Sequence, residues 1–216
     1  MSRRKKSIKI KEALTFKNVI AEKDGNVESR VIEFFEIDKP ITLEIGCGRG
    51  DYTIELAQKY PERNFIGLDL KPARLWNGAT KATELGLENI LFLYMNAKNL
   101  SEEFSKVKFA EVWITFPDPM PKKRQESKRL TAPHYLDIYK KITDFNSVLH
   151  LKTDDKGLYD YTIEKLMENG IRIIKQTDNL YAQEDVSEIE KIKTKYELMH
   201  LAEGKTIKLI DFAFNF

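Results

Sequence analysis

Ile41-Thr42-Leu43-Glu44-Ile45-Gly46-Cys47-Gly48-Arg49-Gly50, followed by Asp51 to Tyr60 and then Asn64-Phe65-Ile66-Gly67-Leu68-Asp69-Leu70, decides the fold of this chain. Ile41 to Gly46 is short, apolar and bounded by glycine, the pattern of a buried strand; Asp51 to Tyr60 predicts a helix, and Asn64 to Leu70 a second strand. Outward from this strand–helix–strand unit the alternation continues. Pro72 to Leu85 predicts a helix with proline in its first turn, Ile90 to Met95 a strand, and Ser101 to Lys106 a short helix capped by Ser101 with Glu102 and Glu103 behind it. Phe109 to Phe116 is a strand, Ala132 to Thr143 a helix, Phe145 to Thr153 a strand, and Gly157 to Asn169 a helix ended by Gly170. Ile171 to Thr177 is a strand, Glu184 to Lys195 a polar helix, and Thr206 to Phe214 the closing strand. Strict alternation predicts the α/β class: a doubly wound, mostly parallel, seven-stranded sheet with the last two strands an antiparallel pair at one edge.

At 216 residues the chain is long enough for one well-buried domain, taken as residues 1–216 with a basic tail at 1–18. That tail is expected to be either unstructured or ordered on a partner. Hydrophobic residues at 42% and charged residues at 32% describe an ordinary globular protein, and no apolar run approaches the length of a membrane helix. The basic start, Arg3 to Lys6, lacks the apolar stretch of a secretory signal. A single cysteine, Cys47, and three scattered histidines exclude an internal disulfide and argue against a metal site. A cytoplasmic location is expected, without membrane association. No obligate protein partner is evident, and a monomer or a homodimer is expected. The net charge is only +2, but it is unevenly spread: Arg3 to Lys11 holds six cations and Lys122 to Arg129 holds five. Such clustering suits a polyanion better than the net charge does.

In a sheet of this kind, ligands bind beyond the C-terminal ends of the strands. Polar residues finish five successive predicted strands: Glu44 with the glycines, then Asp69, Asn96, Asp118 and Asp154. Gly46, Gly48 and Gly50 between a strand and a helix, with Asp69 ending the next strand, form a nucleoside-binding pattern. An acid at Asp69 suits a ribose diol, whose hydroxyls it can accept from. The spacing departs from the dinucleotide pattern, and Glu44 would repel a pyrophosphate while favouring a cation. This points to S-adenosylmethionine rather than NAD, with Asn96 placed to meet the adenine edge or simply to end a turn.

The second informative stretch is Phe116-Pro117-Asp118-Pro119-Met120-Pro121-Lys122-Lys123-Arg124-Gln125-Glu126-Ser127-Lys128-Arg129. Three prolines fix φ and bar helix around Asp118, so one carboxylate is held rigidly at a strand end, directly before a basic stripe. Solvated charge explains the stripe but not three prolines around one acid. The pairing suggests chemistry on a polyanion.

These residues carry a resemblance. Leu43 to Gly50, Gly67 to Lys71, Phe116 to Pro119 with Lys122 to Arg124, Lys152-Thr153-Asp154, and Thr194-Lys195-Tyr196-Glu197 followed by Gly204 resemble the bacterial tRNA (guanine-N7-)-methyltransferase family. The similarity covers roughly residues 40 to 214. It implies the class I methyltransferase (Rossmann-like) fold and methyl transfer from S-adenosylmethionine to a guanine N7 in the tRNA variable loop, at conventional position 46. It implies cofactor contacts from Glu44, Gly46, Gly48, Asp69, Asn96 and Asp118. It implies tRNA or guanine contacts from Lys122, Asp154, Thr194, Lys195, Tyr196 and Glu197, and RNA contacts from Lys123, Arg124, Lys128 and Arg129. Met120 departs from the family's usual Trp and Gln125 from its frequent His. Asp144 to Ser147 replaces a turn common in methyltransferases.

Guanine N7 carries a free lone pair, so no base need deprotonate it; catalysis can rest on alignment. Guanine becomes positive as the methyl arrives, and a nearby carboxylate would stabilise that charge. Asp118 and Asp154 are the candidates, Asp154 being the preferred partner on the base side, and Glu197 could read the guanine N1–H and N2–H edge. Two other readings stay open: a methyltransferase acting on an exocyclic amine of RNA, loosely suggested by Phe116 to Pro119, and a non-catalytic RNA-binding subunit on the same fold.

Overall fold

The structure is a computed structural model that describes residues 3–35 and 39–216. The chain forms two compact units, Met1–Lys108 and Phe109–Phe216.

The first unit runs α1 (Arg3–Ala13), β1 (Val19–Ala21), α2 (Val27–Phe35), β2 (Ile41–Ile45), α3 (Asp51–Lys59), β3 (Asn64–Asp69), α4 (Pro72–Glu84), β4 (Ile90–Tyr94) and α5 (Leu100–Glu103). Its strands lie in the order β1-β4-β3-β2, all parallel. Every residue of β2 and β3 is buried, as expected where helices cover both faces of a parallel sheet. Leu43, Phe65, Ile66, Phe92 and Leu93 build its core. Because the strands point one way, Gly46 after β2, Asp69 at the end of β3 and Asn96 after β4 lie on a single rim.

The second unit runs β5 (Glu111–Thr115), α6 (Pro133–Ile142), β6 (Val148–Thr153), α7 (Lys156–Glu168), β7 (Arg172–Thr177), α8 (Lys195–Ala202) and β8 (Lys208–Ala213). Its strand order is β5-β6-β8-β7. β5 and β6 are parallel, whereas β8 runs antiparallel to both β6 and β7. The expected antiparallel pairing of the last two strands is therefore present. Trp113, Tyr139, Leu151 and Phe212 are fully buried in this unit.

The described strands number eight rather than the expected seven. The extra one is β1, only three residues long, whose Ile20 pairs with Leu93 of β4. The tail expected at 1–18 is a helix over residues 3–13. It seats on α4 through Trp76, which donates from Nε1 to Glu12 at 2.9 Å while Lys9 lies 3.6 Å over its ring. The polar helix expected over Glu184 to Lys195 is corrected. That stretch is turns, and α8 begins where the expected helix ended. The start signal is the capping box Thr194-Lys195-Tyr196-Glu197, in which the Thr194 hydroxyl accepts from the Glu197 N–H and the Glu197 carboxylate accepts from the Thr194 N–H. Among the described residues no helix is long and apolar enough to cross a membrane.

Candidate active site

The glycine loop after β2 is built on Asp69. The Asp69 carboxylate is only 6% exposed; its Oδ2 accepts from the Gly48 N–H at 3.0 Å and its Oδ1 from the Lys71 N–H at 2.7 Å. Arg74 stands 3.9 Å from the same Oδ2. Burial pushes its pKa above the ordinary aspartate value, against the lowering pull of those N–H groups and of Arg74. Each oxygen keeps accepting capacity beyond these bonds, which is what a vicinal diol requires. Gly48 has φ +59°, and a Cβ added there would meet only the Gly46 carbonyl oxygen, at 4.0 Å. The loop backbone is thus open on the side a ligand would use. Gly50 differs: it combines φ +74° with a Phe92 ring only 2.6 Å from where a Cβ would sit. It is glycine because β4 packs against it. These features fit a nucleoside-bearing cofactor, with Asp69 and the Gly46–Gly48 backbone as its holders.

Glu44 is buried, and its Oε2 accepts from the Thr53 N–H at 3.1 Å and from the Thr53 hydroxyl. Thr53 lies in the first turn of α3, so the acid stabilises that helix start, where a negative charge is favoured. Asn96 caps the turn after β4, its Oδ1 accepting from the Lys98 N–H at 3.1 Å. Its own N–H donates to Glu22 at 3.1 Å, and the Asn99 amide donates to the other Glu22 oxygen. Glu44 lies within β2 next to its end and Asn96 just after β4, each with a structural task there. Glu22 and Thr53, which hold them, carried no motif that sequence reading could have used.

In the second unit, Asp118 sits on the turn after β5, exposed and with no hydrogen bond or ion pair among the described residues. The residues two before and two after it, Phe116 and Met120, both have φ 47°. Left-handed backbone at a large side chain is strained, and strain of this kind concentrates where function demands a fixed shape. Phe116 is anchored by donating its N–H to the Lys152 carbonyl at 2.8 Å. The basic stripe is not extended: Lys123–Lys128 coil into a short 3-10 turn. Lys122, Lys123, Arg124 and Lys128 are exposed on it. Arg129 is placed differently from the other cations. It is half-buried, donates from Nε to the Met120 carbonyl at 3.2 Å, and places its guanidinium 4.1 Å over the Tyr161 ring. It clamps the proline turn from beneath.

Asp154 follows β6, half-buried, with Oδ2 accepting from Lys205 at 3.2 Å and lying 3.5 Å from His200 Nδ1. The His200 ring stands 6.2 Å from the Phe116 ring. Glu197, read from the sequence as facing a base edge, is instead completely buried. Its carboxylate pairs with the Lys152 ammonium at 2.8 and 3.0 Å and accepts from the Tyr181 hydroxyl and the Thr194 N–H. A base edge would have to displace Lys152 to reach it. Lys195 and Tyr196, by contrast, are exposed, and Thr194 is half-buried at the helix cap. Lys152 itself has 0% side-chain exposure; burial pushes its pKa down while Glu197 pulls it back up. The sequence signal for Lys152 is a lysine ending the apolar run Leu149-His150-Leu151.

A family model described as "Putative methyltransferase" matches residues 38–210, which runs through both units. A protein named tRNA (guanine-N(7)-)-methyltransferase from Porphyromonas gingivalis is 45% identical over 181 residues, covering 83% of this chain and 73% of its own length. One of the same name from Christiangramia forsetii is 38% identical and covers 98% of this chain and 99% of itself. Among solved structures, a crystal structure of the 16S rRNA methyltransferase KamB superposes with TM-score 0.67 at 12% identity, over 87% of this chain and 94% of that one. At that identity the likeness speaks to the fold alone, and the fold is a methyltransferase's.

Proposed function

Because the chain belongs to the tRNA (guanine-N(7)-)-methyltransferase family, we propose that it methylates N7 of a guanine in the variable loop of tRNA, at conventional position 46. When bound, S-adenosylmethionine supplies an electrophilic methyl group on a sulfonium. The observation that carries the reading is the Asp118 turn. Its carboxylate, exposed and unpaired among the described residues, lies between two left-handed residues and precedes four exposed cations. A fixed anion beside a phosphate-binding surface suits a base that turns positive as it reacts.

Each residue then has a task. Asp69 accepts from the ribose hydroxyls, and the Gly46–Gly48 backbone lets the cofactor approach. Glu44, engaged with Thr53, adds negative charge beneath the cationic ligand, and Asn96 borders the adenine. Asp118 supplies the carboxylate that the family resemblance assigns to the cofactor and the reacting base. Asp154, with its Oδ1 unengaged among the described residues, stabilises the methylated guanine from the base side. Lys122 orients the target nucleotide, and Lys123, Arg124 and Lys128 neutralise phosphates. Thr194, Lys195 and Tyr196 supply the remaining tRNA contacts. Residues 1–216 act as one methyltransferase domain, a reading supported by the unbroken family match. The enzyme works in the cytoplasm as a monomer or homodimer. The name of the relatives described above favours this reading over an exocyclic-amine methyltransferase or a non-catalytic subunit.

The test is transfer of labelled methyl from S-adenosylmethionine to bulk unmodified tRNA, with nucleoside analysis and mapping of the product. 7-Methylguanosine in the variable loop is expected. Label only in N6-methyladenosine, or in protein, would defeat the proposal.

A further inference from the structure

The Lys152 ammonium is a buried junction in the second unit, near the proposed tRNA contacts. It donates to the Glu190 carbonyl at 2.8 Å, the Ile192 carbonyl at 2.9 Å and the Tyr181 hydroxyl at 3.3 Å, besides its pair with Glu197. Every one of these partners lies between residues 181 and 197, the irregular stretch that delivers the chain to α8. That stretch has little regular structure of its own and needs an outside reference to fix it. Lys152 provides one from β6, where it pairs with Thr115 on one side and Leu209 on the other.

Fold stability alone does not account for a lysine here. Removing an ammonium and a carboxylate from water is expensive, and apolar side chains of similar size would fill the space at less cost. What an ion pair provides that apolar packing does not is direction. Glu197 also closes the capping box of α8, so the ammonium is bound directly to the residue that starts that helix. From that start, α8 presents Lys195 and Tyr196 outward, Tyr196 being 61% exposed, followed by exposed Leu198 and Met199. A cation beside an exposed aromatic is a usual pairing for holding an unstacked nucleotide. Two residues beyond Lys152 on the same strand end stands Asp154.

We propose that Lys152 is a positioning residue for tRNA recognition: it locks residues 181–197 to the end of β6, so that Asp154 and the exposed side of α8 meet the RNA as one rigid piece. This deepens the proposed function and rests on it. Lys152 itself touches no RNA.

The test compares Lys152→Met, Tyr181→Phe, Glu197→Gln and the Lys152→Met/Glu197→Gln pair with wild type in tRNA methylation, S-adenosylmethionine calorimetry and salt-dependent tRNA binding. For Lys152→Met the KM for tRNA should rise about tenfold or more, with full binding stoichiometry and unchanged affinity for S-adenosylmethionine. Tyr181→Phe, which keeps the ion pair, should raise it about two- to fivefold. The pair should be no worse than Lys152→Met alone, because the two residues act through one contact; it also removes the unpaired carboxylate if Lys152→Met alone folds poorly. Loss of stoichiometry and turnover with an unchanged KM for tRNA would mean that Lys152 merely stabilises the fold, and would overturn the proposal. So would additive effects in the pair. A salt slope lowered by about one unit in Lys152→Met would show the ammonium meeting phosphate directly, which also overturns it. A wild-type protein that transfers no methyl to tRNA would overturn both this inference and the function beneath it, whereas variants equal to an active wild type would overturn this inference alone.

Discussion

Asp69→Asn is the substitution that separates the two tasks assigned to this acid. In the wild type, one carboxylate oxygen accepts from the Gly48 N–H and the other from the Lys71 N–H. Asparagine keeps one carbonyl oxygen and turns an NH2 toward the second donor, leaving a backbone N–H unpaired in a buried place. That costs about 1–3 kcal/mol, offset in part because a neutral amide is cheaper to bury than a carboxylate. A net loss of about 1–2 kcal/mol corresponds to a Tm lower by roughly 2–8 °C for a chain of this size. Cofactor binding should suffer more selectively. Losing one charge-assisted bond to the ribose diol costs about 1.5–3 kcal/mol, so S-adenosylmethionine affinity should fall roughly ten- to hundredfold by calorimetry. Affinity for tRNA, measured without cofactor, should stay within about twofold, since Asp69 carries no role on the RNA side. A pH series adds a sharper check. The folded pKa of Asp69 is raised above its unfolded value, so its contribution to stability is present below the unfolded pKa and lost as pH rises through the folded one. Diol hydroxyls need the ionised form, so wild-type cofactor affinity should drop as pH falls through that raised pKa, earlier than for an ordinary aspartate. Asp69→Asn should lack this step. Unchanged cofactor affinity in Asp69→Asn, or equal losses of cofactor and tRNA binding, would refute the assignment.

Replacing Lys123 and Lys128 together with alanine should reduce the slope of log K against log salt for tRNA binding by about one to two units, read from a salt titration, while cofactor affinity holds. Arg129→Ala should leave that slope unchanged but lower kcat. Its loss frees the Met120 carbonyl and the Tyr161 ring, and a drop in slope equal to that of a lysine variant would place Arg129 on the RNA instead. Gly50→Ala should destabilise the fold by about 2–5 kcal/mol, since alanine is strained at φ +74° and its Cβ would press on the Phe92 ring; thermal unfolding measures it, and a wild-type Tm would contradict the packing described.

What the sequence determined by itself was whatever local patterns encode. The apolar runs and glycine punctuation of residues 41–95 place β2, β3 and β4 to within a residue or two, because strand and helix periods are written in consecutive side chains. The glycine loop with Asp69 and the proline turn around Asp118 were legible for the same reason: φ restrictions and strand-end acids are local chemistry. α2 is legible on the same grounds, since Val27, Val31 and Phe35 recur at helical spacing and are its buried residues. The tertiary structure alone decided which side chains spend their polar atoms on the fold. Arg129 and Lys128 are adjacent cations in the sequence, yet one lies over Tyr161, 32 residues away, and the other faces solvent. In the sequence Glu197 reads as an acid that could accept from a base edge; the fold brings Lys152, 45 residues earlier, against it. A carboxylate's role is set by whichever charge and donors meet it. Partners that distant in the chain leave no periodicity for a sequence to display.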